Sequence, residues 1–117
     1  MNFEVITVKK QQATFAIQLD TILYMEKHSR TITIHVMEGD DICFYGKYDD
    51  IMAMVDDRFV HPHESYVINM QHIFRLGRQE VVMIDGQRIE MGGRCFGRLK
   101  RAYDEFIRNN IRSSAET

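Results

Sequence analysis

The chain has 117 residues, 44% of them apolar and 27% charged, with a formal net charge of −2. That length fits one domain, this balance excludes a disordered chain, and no apolar run approaches the roughly 18 residues of a membrane helix. The opening Met1-Asn2-Phe3-Glu4 has no basic segment leading into an apolar one. No signal peptide is therefore expected, the cytoplasm is the expected compartment, and Cys43 and Cys95 are expected as reduced, buried thiols.

Strand signals come first along the chain. Phe3–Val8 is rich in β-branched residues, Lys9–Gln12 reads as a polar turn, and Ala13–Ile17 and Thr21–Glu26 follow as strands. Thr31–Val36 alternates, with Ile32, Ile34 and Val36 on one face, and Glu38–Asp41 turns it into Ile42–Tyr45. Between Tyr48 and Val55 the spacing becomes helical, with Asp49 and Asp50 in the first turn, where the helix dipole favours anions. Phe59-Val60 leads from that helix towards Pro62, the single proline. Short strands return at Tyr66–Ile68, Ile73–Leu76 and Glu80–Ile84, and Asp85-Gly86 predicts a two-residue hairpin into Arg88–Met91. A last helix is expected over about Cys95–Arg108, its apolar stripe being Phe96, Leu99, Tyr103, Phe106 and Ile107. The expected domain covers residues 1–112, followed by a flexible tail over 113–117. The sum is a mainly β fold of compact antiparallel sheets, about nine or ten short strands with one short internal helix and a C-terminal helix. Absent strand–helix alternation disfavours a doubly wound nucleotide-binding fold.

Charge is uneven along the chain. Residues 1–71 hold 6 Lys/Arg against 11 Asp/Glu, and residues 72–117 hold 9 against 6, so a polyanion contact is expected to draw on the C-terminal part. Catalytic and metal signatures are weak. No phosphate-loop, dinucleotide-binding, H-E-x-x-H or C-x-x-C spacing occurs. His61 and His63 would share a strand face, as would Ser65, yet two histidines make no metal site and no orienting acid completes a serine nucleophile. Phe44, Tyr45, Met52, Met54, Met70, Met83 and Met91 read as core. Gly92-Gly93-Arg94 reads as a tight turn into the last helix.

Phe59–Asn69 reads F-V-H-P-H-E-S-Y-V-I-N, and Ile73 follows after a short gap. This resembles the signature of LytTR-type DNA-binding domains, an aromatic followed by His-Arg-Ser-Tyr, two hydrophobics and Asn. Ile22–Glu26, Phe44–Gly46 with the helix ending near Phe59, and Ile89–Phe96 resemble three further blocks of the family in the right order. The likeness spans about residues 3–107. It implies an elongated stack of antiparallel sheets, without cofactor or catalytic activity. Such a domain reads successive major grooves of direct-repeat promoter DNA with loops, as the output part of a response regulator, and can dimerise there.

Carried over by position, the resemblance implies three DNA-facing regions. They are the loop Lys27, His28, Ser29 and Arg30; the segment His63, Glu64 and Ser65; and Gly93 and Arg94 with Arg98, Lys100 and Arg101. Arg94 suits a bidentate contact to guanine or phosphate. Tyr66–Ile68 are expected to build the sheet and Asn69 to hold a turn through its side chain. Two departures predict weaker or altered binding: Glu64 stands where the family has arginine, and Gly92-Gly93 where it has Ser-Arg. They also motivate an alternative, a protein-interaction or dimerisation module whose DNA binding is weak or lost.

Overall fold

A computed structural model describes residues 4–110. Phe3 and the tail at 113–117 lie outside the described residues. Among the described residues, ten strands form three antiparallel sheets. The first sheet pairs β1 (Val5–Lys10) with β2 (Ala13–Gln18). The central sheet has five strands: β3 (Ile22–His28), β4 (Thr31–Val36), β5 (Ile42–Tyr45), β6 (Phe59–His63) and β7 (Tyr66–Asn69), in the order β5-β4-β3-β7-β6. The third is a meander of β8 (Ile73–Gly77), β9 (Glu80–Met83) and β10 (Arg88–Glu90). Helix α1 spans Tyr48–Met52 and α2 spans Gly93–Asn110.

The central sheet is covered on both faces. Ile22, Met25, Ile32, Ile34 and Val67 pack with Ile6, Val8 and Ile17 of the first sheet and with Tyr48 and Ile51 of α1. Leu23, Tyr24 and Ile68 pack the other way, with Ile73, Val81, Met83 and Ile89 of the meander and Leu99 of α2. That is why Ile22-Leu23-Tyr24-Met25 is buried without alternation: each face of β3 meets its own core. The molecule measures 52 × 35 × 24 Å.

Several boundaries differ from expectation. Phe59–His63 is a strand, not a lead-out, and Pro62 sits within it. Strand β6 is the sheet edge, and its pairing with β7 shifts register between Val60 and His63, so the missing proline N–H interrupts no ladder on a second side. Helix α1 stops at Met52 rather than Val55, and α2 is longer at both ends than expected. The last hairpin encloses residues 84–87, not Asp85-Gly86 alone; Gly86 holds φ +93° and donates to the Met83 carbonyl at 2.9 Å. Two single-turn 3₁₀ segments, Leu19–Thr21 and Met70–His72, had no sequence signal.

Some predicted core positions also move outward. Tyr45 is 83% exposed and Met54 38%, whereas Phe44, Met70, Met83 and Met91 are buried. Cys43 is exposed rather than buried and Cys95 is half-buried; both are free thiols.

Candidate nucleic-acid interface

Strand register brings the three predicted regions to one end of the central sheet. Lys27 and His28 are the last residues of β3, and Ser29-Arg30 is the two-residue turn into β4. The β6–β7 hairpin turns at Glu64-Ser65, with His63 paired to Tyr66. Because β3 and β7 are antiparallel, Glu26 pairs with Tyr66, and the Lys27 amide donates to the Ser65 carbonyl at 2.8 Å. The two turns are thereby fixed side by side. Helix α2 runs back along β6: Arg98 Nη1 donates to the Pro62 carbonyl at 3.4 Å near its start, while Phe106 and Asn110 near its end line a groove with Asp56 and Arg58. Gly93, at φ +53°, and the exposed Arg94 therefore lie at the same end as both turns. Lys100 is the least available member, its Nζ lying 3.7 Å from Asp104. An added Cβ on Gly97 would meet Arg101 Nη1 at 3.4 Å, so that guanidinium reaches back towards the helix start.

The histidines of this end each have their own neighbours. The expected shared face of His63 and Ser65 is not formed, because Ser65 sits in the turn; its amide instead donates to His63 Nδ1 at 3.0 Å. The His61 ring packs edge-on against Tyr48 at 4.8 Å, and the His63 ring lies 5.6 Å from Tyr66. His28 Nε2 is 3.5 Å from Glu26, whose other oxygen is bonded to His35 at 2.7 Å. Asn69 is fully buried, donates to the Ile22 carbonyl at 2.8 Å and accepts from the Gln71 amide at 2.9 Å, the turn-holding role expected of it.

The fold adds bases that chain order concealed. Lys9 and Lys10 end β1 and line a groove with Thr31 and Tyr45; Lys47 follows the Gly46 whose amide bonds the Arg30 carbonyl at 3.2 Å. Arg78 occupies the β8–β9 turn, beside Gly92 at the mouth of α2. A glycine followed by a basic and a polar residue, Gly77-Arg78-Gln79, between two short strand runs was the available signal. Among the described residues, Lys9, Lys10, Lys27, Arg30, Lys47, Arg78, Arg94, Arg98 and Arg101 form no ion pair, nor does Arg108 at the far end of α2, while Arg58, Arg75, Arg88 and Lys100 do. Positive charge at this end is thus drawn from both halves of the chain, not from the C-terminal part alone.

The acids collect elsewhere. Glu4, Asp20, Asp56 and Asp57 border one groove at the opposite end, and Glu38, Asp40 and Asp41 lie at the β4–β5 turn, also away from Ser29-Arg30. Arg58 is held among them by Asp56 and Glu4 at 2.8 and 3.1 Å. Burial pushes the Asp56 carboxyl up, but hydrogen bonds from Arg58 outweigh it and leave it below its ordinary value. The carboxylates nearest the basic end include Glu26, 3.5 Å from His28, Asp49 and Asp50 in the first turn of α1, Glu64 in the β6–β7 turn, Glu80 just after the Arg78-Gln79 turn, and Glu90 beside Gly92.

Comparison with known proteins agrees with this picture. Accessory gene regulator protein A from two strains of Staphylococcus epidermidis is 26% identical over 101 residues, covering 85% of this chain. The chain spans 40% of the length of those relatives. A solved LytTr DNA-binding domain from Bacillus cereus, part of a protein designated a methyl-accepting/DNA response regulator, shares the fold with a TM-score of 0.68. It is 16% identical, and the match covers 86% of this chain and 95% of that one. No helix of the described residues is long and apolar enough to cross a membrane. The LytTr DNA-binding domain family matches residues 12–104, and with this fold and its basic end the chain belongs to that family of DNA-binding domains.

Proposed function

We propose that this chain is the cytoplasmic output domain of a response regulator, binding direct-repeat promoter DNA with the basic end of its central sheet. The observation that carries the reading is the meeting of Ser29-Arg30, Glu64-Ser65 and Arg94 at one end, joined by the Lys27–Ser65 backbone bond. Loops on a rigid sheet can reach base edges, while unpaired Lys and Arg around them hold phosphates. The start of α2 faces the same way, and its dipole adds to the attraction for phosphate. Arg94 reads guanine or clamps a phosphate; Arg30 and Arg98 hold the backbone. Two copies occupy the two repeats. No catalytic group is needed.

Fluorescence anisotropy with a direct-repeat duplex and a scrambled one tests this. Arg94→Ala is expected to cost about 1–3 kcal/mol on the repeat and to narrow the gap between the two duplexes. Affinity unchanged by that substitution would remove Arg94 from the site. A protein that binds neither duplex, yet self-associates, would favour the interaction-module reading that Glu64 motivates.

A further inference from the structure

Tyr45 has no place in either core, and it is the most exposed of the large hydrophobic residues described, at 83%. It ends β5, pairs with Thr31, and so stands one strand away from the Ser29-Arg30 turn, on the side remote from α2. Beside it the end of β1 supplies Lys9 and Lys10, and the turn supplies Gln11 at φ +52°. Together these residues line an open groove of about 470 Å³ whose walls include no carboxylate.

We propose that this groove is a DNA-backbone subsite, in which Lys9 and Lys10 neutralise phosphates and the Tyr45 hydroxyl donates to one of them. The inference rests on the DNA-binding reading and extends its footprint. Lysine ammonium groups act as point charges for phosphate, and Tyr and Gln are ordinary hydrogen-bond partners of the DNA backbone. The position favours a flanking role. Five strands spaced about 4.8 Å apart span about 19 Å. With the β1–β2 layer on one face and α2 on the other, the basic end is broader than the central sheet alone. One turn of B-DNA is about 34 Å. The groove therefore meets sugar-phosphate beyond the bases that the turns read, and contributes affinity without sequence preference.

The test uses the full chain and measures affinity for the direct-repeat and scrambled duplexes across roughly 50–200 mM salt. The Lys9→Gln/Lys10→Gln variant is expected to reduce the slope of log K against log salt by about 1.8, at about 0.9 per phosphate contact. The ratio between the two duplexes stays unchanged, and hydroxyl-radical protection is lost at one outer flank. Tyr45→Phe, which keeps the ring, weakens both duplexes by the same factor. Thermal melting of each variant confirms folding, and Lys9→Gln alone serves if the pair does not fold. A wild-type protein that binds DNA while the slope and the footprint of the variant stay unchanged overturns this inference and leaves the DNA-binding reading standing. A wild-type protein that binds no duplex overturns both.

Discussion

The carbonyl of Ser65 accepts two hydrogen bonds, from the Lys27 amide at 2.8 Å and from the Tyr48 hydroxyl at 3.0 Å. One oxygen thus joins the β6–β7 turn, the end of β3 and the start of α1. Tyr48 is buried, and burial, with Glu26 and Tyr66 adding to it, pushes its hydroxyl above the ordinary tyrosine value, so it remains a donor. Tyr48→Phe keeps the ring against His61 and removes the bond. The expected cost is about 1 kcal/mol in urea unfolding, with faster hydrogen exchange at the Lys27 amide. Unchanged exchange there would mean that the Lys27 bond alone holds the turn.

Glu64 is exposed at the tip of its turn and makes no ion pair among the described residues. Glu64→Arg therefore disturbs no contact of the fold and replaces a repulsive charge with a phosphate donor. Affinity is expected to rise, and the salt slope to steepen by about 0.9, in the same anisotropy titration. A fall in affinity on the direct repeat alone would instead assign Glu64 a base, with cytosine N4 as the natural donor.

Asn69→Ala removes a fully buried amide that ties β7 to the carbonyl of Ile22 and caps the following 3₁₀ turn. It removes the buried bond to that carbonyl and leaves the Gln71 amide without its cap. Destabilisation of about 2–4 kcal/mol is expected in denaturant unfolding, with DNA affinity of the folded fraction unchanged.

Alkaline pH will destabilise the fold. Burial, with Glu26 and Asp85 adding to it, pushes the Tyr24 hydroxyl up to about 12, from 10.0. Between those values the unfolded chain gives up a proton that the folded chain keeps, so stability falls as pH rises through that window. Tyr48 shifts in the same direction and adds to the loss. Melting temperatures measured from pH 9 to 12 check this, and Tyr24→Phe is expected to flatten the decline.

Most strands were legible because alternation survives wherever one face of a strand is only half-buried, as in Thr31–Val36. Pro62 hid β6, since a proline argues against a strand unless the strand is an edge, and edges are known only once the sheet order is known. The 3₁₀ turns at Leu19–Thr21 and Met70–His72 are too short to impose a period. The predicted interface residues do converge at one end, but through the register of β3 on β7, which no local pattern reports. Lys9, Lys47 and Arg78 were missed for the same reason. In chain order the first two sit among the acids of residues 1–71, and only the folding of the sheet gathers both at the Ser29-Arg30 end, apart from most of those acids.

The parting of acids and bases has a kinetic consequence. A protein of net charge −2 would ordinarily be slowed in approaching a polyanion. With seven carboxylates gathered at one end and nine of the ten unpaired bases of the described residues at the other, it instead carries a large electric dipole along its strands. The field of DNA turns such a molecule before it arrives, acid end outward. Its association rate will then exceed that of an evenly charged protein of the same net charge, and the advantage will shrink as salt screens the field within about 10 Å.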